Sequence, residues 1–179
     1  MAMTVNLPTV ECALCEKRIN PPNECFRATG DFLPKGDPLN PFCNAPMHWE
    51  CYAKWNKRPQ FARHFVDAWV AMNRKNPFWW RVYQDEDVYV SVNPMRSVEE
   101  ASVRLYALGS DIRVNLPQWG RWIEDPDAIT PRLHTEEKKA LSAVLPRLRE
   151  RFPDDHAVVD AIDPNEKPAR KAKAKAADC

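Results

Sequence analysis

Two stretches of sequence decide how this chain is read: Cys12-Ala13-Leu14-Cys15, and further on Phe42-Cys43-Asn44-Ala45-Pro46-Met47-His48-Trp49-Glu50-Cys51. In the first, the two-residue spacing lets a tight turn aim both sulfurs at one ion while its backbone amides donate to them. In the second, His48 and Cys51 have the same spacing. On the first turn of a helix they converge, and the positive helix end favours thiolate. Three sulfurs and one imidazole nitrogen complete the tetrahedron of structural zinc and leave no position for water. The expected metal ligands are therefore Cys12, Cys15, His48 and Cys51, holding one structural Zn2+. Cys25 and Cys43 are left over. Either could replace one of the four, Cys43 for His48 being the most direct exchange, or both could be buried thiols acting as small apolar residues.

The compartment bears on that choice. Met1 to Pro8 lacks a basic start followed by an apolar run, so no secretory signal is read there. No apolar stretch approaches the roughly 18 residues needed to span a bilayer. The expectation is a cytoplasmic protein, in which clustered cysteines more often mean metal than disulfide. A redox dithiol would need a strand-helix-strand pattern around Cys12 and Cys15, and none surrounds them.

The order of parts resembles a treble-clef zinc finger: a knuckle with two Cys, a hairpin, then a helix whose start carries the last pair. It is similar to one half of a LIM domain, and Phe42 to Cys51 also resembles the middle of a RING finger. The likeness covers residues 10 to 58 only. The gap between the pairs is longer than in a LIM half-site. A RING needs further Cys pairs downstream for its second ion, and no cysteine lies between Cys51 and Cys179. His48-Trp49-Glu50 also matches the His-x-Glu element of zinc nucleobase deaminases. Here, however, the Cys pair precedes the His, and Cys51 would crowd the open coordination position; Glu50 reads as a first-turn helix residue.

Outward from the cluster, Pro59 starts a helix in which Phe61, Phe65, Ala68, Trp69 and Met72 share one face. Asn76-Pro77 stops it. The period then changes to two. Trp80 and Val82, then Val88, Val90 and Val92, flank the turn Asp85-Glu86-Asp87; Val103, Leu105 and Ala107, then Ile112, Val114 and Leu116, flank Gly109-Ser110-Asp111. Two hairpins in series imply an antiparallel sheet of about four strands with helices against one face, an α+β protein. Alternation would put Trp79, Arg81 and Tyr83 on one strand face and Trp80 and Val82 on the other. One of these faces would be core and the other a possible aromatic binding face. Trp119, Trp122 and Ile123 suit one helical turn. Thr135 reads as the N-cap of a longer helix through Leu141, Val144, Leu145, Leu148 and Phe152, which Pro146 should kink or break. A short helix from Asp155 to Ile162 follows. The expected organisation is a zinc-finger module at 1–58, an α+β body at 59–163 and a disordered basic tail at 164–179.

The chain's 179 residues include seven Trp and are 44% hydrophobic, enough to bury a core, while a formal charge of +1 gives no strong pull toward nucleic acid or anionic membrane. No Gly-rich phosphate loop, His-Glu-x-x-His element or Gly-x-Ser-x-Gly elbow is present, and no complete set of catalytic groups is found. His64 reads as a surface residue, and His134 and His156 as solvated or capping residues. The expected function is a protein-interaction or adaptor module built on a structural zinc finger. The alternatives are a nucleic-acid-binding zinc finger using Arg170, Lys171, Lys173 and Lys175 of the tail, and a RING-like adaptor of the ubiquitin-ligase type.

Overall fold

The computed structural model describes residues 10–20, 25–74, 79–93 and 100–162. Residues 1–9, Asn76-Pro77 and Phe78, Cys179 and the whole basic tail lie outside these residues.

In the N-terminal segment, β1 (Cys25–Phe26) pairs antiparallel with β2 (Met47–His48), and α1 (Trp49–Lys54) follows directly. The Pro- and Gly-rich stretch between the strands is organised by short-range bonds. The Asn44 side chain accepts from the Gly30 amide at 2.7 Å, and the Asn40 amide group donates to the Leu33 carbonyl at 2.8 Å. Such bonds replace the ladder that this Pro-rich sequence cannot form.

Next comes α2 (Arg58–Asn73), with Pro59 in its first turn, where a missing N–H costs nothing. Its buried stripe is Phe61, Ala62, Phe65, Val66 and Val70, whereas Ala68 and Trp69 are half-buried and Met72 is exposed. The stripe expected from sequence was rotated toward the wrong side. Two surfaces claim this helix: Phe61 and Phe65 join the core of the N-terminal segment, while Val66 and Val70 pack with Tyr89 and Tyr106 of the body.

The body is a four-stranded antiparallel meander of β3 (Trp80–Gln84), β4 (Val88–Asn93), β5 (Glu100–Leu105) and β6 (Ser110–Asn115), in that spatial order. Ala107 falls in the turn rather than in a strand, and Ser110 and Asp111 already belong to β6. Every residue of β4 is buried, which marks a strand covered on both faces. On one face Val88, Val90 and Val92 meet Val103, Ile112 and Val114 beneath three helices. These are α3 (Trp119–Glu124), α5 (Thr135–Arg151) and α6 (Asp155–Asp160), with the single turn α4 (Pro126–Ile129) between the first two. On the other face Tyr89 packs against α2. Helices thus cover both faces of the sheet, not one, giving an α+β architecture.

Three further expectations are corrected. The β3–β4 register shifts between Arg81 and Tyr83, a bulge that breaks alternation, so Trp80, Val82 and Tyr83 all pack against the main core. Trp79 is buried too, edge-on to Trp69 at 6.0 Å, so these residues form no exposed aromatic face. The cap of α5 is His134 rather than Thr135: its Nδ1 accepts from the Glu136 amide at 3.3 Å, and its own amide donates to Glu137 at 2.9 Å. This reciprocal arrangement satisfies two amides, which a Thr135 cap could not do in the same register. Finally, α5 is continuous through Pro146, so the helix does not break there. Ser142, whose carbonyl loses its partner, is exposed, so water can serve that carbonyl.

Candidate metal centre

The knuckle begins with a bridge between Glu11 and Arg18. Within it the Cys12 amide donates to the Lys17 carbonyl at 2.9 Å and the Glu16 amide to the Cys12 carbonyl at 2.8 Å. Glu16 takes φ 61°, the left-handed conformation that closes so short a turn and that non-glycine residues seldom adopt. The Ala13 amide bonds the Pro46 carbonyl at 2.9 Å, tying the knuckle to the chain entering β2. His48 ends β2 and precedes the first residue of α1, and Cys51 lies in the first turn of that helix.

This local geometry brings together Cys12, Cys15, His48 and Cys51, whose potential ligand atoms all lie within 4.8 Å of one another. Such a group could hold one metal ion. His48 Nδ1 stands 3.4 Å from Cys15 Sγ and 3.8 Å from Cys51 Sγ. A tetrahedral ion with Zn–S near 2.3 Å and Zn–N near 2.05 Å separates sulfur from nitrogen by about 3.6 Å, so both distances fit such a ion closely. The other ring nitrogen, Nε2, lies 3.2 Å from the Arg18 carbonyl oxygen. A carbonyl can only accept, so Nε2 is the donor here, and in the neutral ring this tautomer leaves the Nδ1 lone pair facing the sulfurs. That orientation is the usual outer-shell arrangement around a metal-binding imidazole.

The electrostatics follow the same logic. Cys12 is only 1% exposed. Burial pushes its thiol up, but the amides of His48 (3.3 Å from the sulfur), Leu14 and Cys15 outweigh it and bring the thiol down to about 6. The Cys51 thiol is pushed up to about 12, first by burial and then by the neighbouring Cys15 and Cys12 sulfurs. With no cation present, a second thiolate beside the first is opposed by like charge, and a dication removes that opposition.

Beneath the group, Phe26 stacks on Tyr52 with centroids 3.7 Å apart, and Met47, Ile19 and Leu39 are buried around them. Cys25 faces His48 across the β1–β2 pair but does not join the group, nor does Cys43, whose thiol burial pushes up. Glu50 is exposed and is not one of the grouped residues. No second group of three or more such side chains occurs among the described residues. His64 is half-buried on α2, and His156 is exposed.

Two features here escaped the sequence reading. Tyr52 follows Cys51 directly, and its hydroxyl donates to the Leu108 carbonyl at 2.7 Å, joining α1 to the β5–β6 turn. Trp49, between the two members of the second pair, stacks on His134 with centroids 4.8 Å apart and planes 6° from parallel. The only sequence signal for either was an aromatic residue beside each ligand on a short helix. No described helix is long and apolar enough to cross a membrane. Compared with known families, characterised proteins and solved structures, the chain matches none.

Proposed function

We propose that Cys12, Cys15, His48 and Cys51 hold one Zn2+ as a closed, structural site, and that residues around it form a treble-clef-type finger. The observation that carries this reading is the convergence of four sulfur and nitrogen atoms within 4.8 Å, with His48 Nε2 engaged by a carbonyl. Zinc fits this donor set best. Three thiolates and an imidazole favour a borderline-soft ion, and four protein ligands fill its tetrahedron. Its role is to fold the segment rather than to catalyse, because four protein ligands fill the tetrahedron and leave no position for water. The finger then serves an intracellular protein-interaction or adaptor module, with the sheet body as the platform that holds it.

The test is zinc content and folding in paired variants. Cys12→Ser is expected to lose stoichiometric zinc and to unfold the N-terminal segment, since binding free energies of roughly 10–16 kcal/mol in zinc-finger peptides are also folding free energies. Glu50→Gln should change neither zinc content nor melting temperature. A Cys12→Ser protein that keeps both would sink the reading, and a catalytic site would instead show Glu50→Gln folded but inactive.

A further inference from the structure

Between β1, α2, the β5–β6 turn and the start of α5 lies a cleft of about 460 Å3 whose lining includes none of the four candidate metal ligands. Its size falls in the range of ligand sites. Three guanidinium groups line it, those of Arg27, Arg104 and Arg113, against two carboxyl groups, Asp111 and Glu137. Arg104 is 4% exposed and lies 3.6 Å above the Trp69 ring. Among the described residues its carboxylate partner is Asp111, at 2.9 Å, and Asp111 is shared with Arg113 at 2.6 Å and with the Ser102 hydroxyl. Arg113 is also held by Glu100 at 3.0 Å, and the buried Arg104 Nε has no hydrogen-bond partner among the described residues. Burial pulls the Arg104 guanidinium down to about 10, a sign of a cation stripped of water and incompletely compensated by one shared acid.

A cationic guest would find little here. The Trp69 face is covered by Arg104, Arg113 stands 4.8 Å over Trp79, and Trp49 is stacked on His134. Phe26, Phe65 and Met72 add apolar side chains to the lining. Met72 is 57% exposed at the rim, an unbranched side chain of the kind that adapts to varied partners. The buried Arg104, with an unpartnered Nε over the Trp69 ring and an adaptable apolar rim beside it, complements a carboxylate carried beside an apolar group.

We propose that this cleft binds an acidic side chain flanked by an apolar residue, presented by a peptide segment of a partner protein. The inference rests on the interaction-module reading and names the surface that does the interacting.

The test uses the full-length, zinc-loaded chain labelled with 15N, titrated with two matched pools of capped peptides. One pool carries Asp or Glu between Leu or Phe residues, and the other carries Asn or Gln in the same place. The indole N–H signals of Trp49 and Trp69 and the Nε–H signal of Arg104 should move with the acidic pool, at a midpoint about fivefold lower than with the amide pool. Met72→Glu, an exposed change that leaves the fold and zinc content intact, should weaken the acidic pool about fivefold, whereas Met72→Lys should not weaken it. Equal midpoints for the two pools, no movement with either, or Met72→Glu binding as well as the parent would overturn the proposal. So would a response to single-stranded DNA in place of the acidic peptides. Zinc content and the Cys12→Ser result do not depend on any of these outcomes, so failure of the cleft and failure of the finger are separable.

Discussion

At the scale of single residues, His48 does the most to define the candidate site. Its Nε2 is occupied by the Arg18 carbonyl, and this leaves Nδ1 to face Cys15 and Cys51. Cys43 was the alternative to His48 in the sequence, yet it stands outside the group. Cys43→Ser should therefore retain one zinc per chain and Cys15→Ser should not, measured by metal analysis after gel filtration. Loss of zinc in the Cys43 variant would mean that the ligand set is wrong. The proximity of the four side chains was legible because short spacing within each pair constrains local geometry. Arg104 on Trp69 was not, because β5 and α2 meet only in three dimensions and no spacing rule connects them.

At the scale of elements, strand periodicity was readable where strands are regular. Val88, Val90, Val92 and Val103, Leu105 announced the hairpins, and all are buried in the main core. The bulge at Arg81 to Tyr83 was not readable, since one inserted residue leaves composition unchanged while redirecting every side chain beyond it. The acidic turn at Asp85 to Asp87 keeps Glu86 and Asp87 exposed and also docks α5. Asp85 accepts from the amides of Asp87 and Val88 at 2.8 and 2.9 Å, and Arg147 of α5 reaches Asp87 at 2.8 Å. The β5–β6 turn is closely constrained. Gly109 has φ +71°, and a Cβ there would meet Phe65 Cδ1 at 3.1 Å and the Ala62 Cα at 3.5 Å. Gly109→Ala combines a left-handed penalty with crowding against α2 and is expected to cost about 1–3 kcal/mol, seen as a melting temperature lower by several degrees. An unchanged melting temperature would show that α2 and the turn can separate freely.

At the scale of the whole molecule, α2 is the shared wall, with Phe61 and Phe65 in the N-terminal core and Val66 and Val70 against the sheet. Leu108 of the β5–β6 turn also sits in the N-terminal core, and the Tyr52 hydroxyl bonds its carbonyl. This junction was invisible in the sequence because both faces of α2 are apolar enough to bury, and a helical pattern does not say which partner each face meets. Tyr52→Phe removes one hydrogen bond and leaves a buried carbonyl without its donor, an expected loss of about 1–3 kcal/mol in chemical denaturation. Zinc content should be unchanged, because the ring still stacks on Phe26 and no ligand is altered. A Tyr52→Phe protein as stable as the parent would show that this contact does not join the two regions.

The most direct measurement is X-ray absorption at the zinc edge on the purified full-length chain. The account predicts one zinc per chain with three sulfur neighbours at about 2.3 Å and one nitrogen at about 2.0–2.1 Å. Four sulfur neighbours, an oxygen in the coordination shell, or a chain that carries no zinc would contradict it.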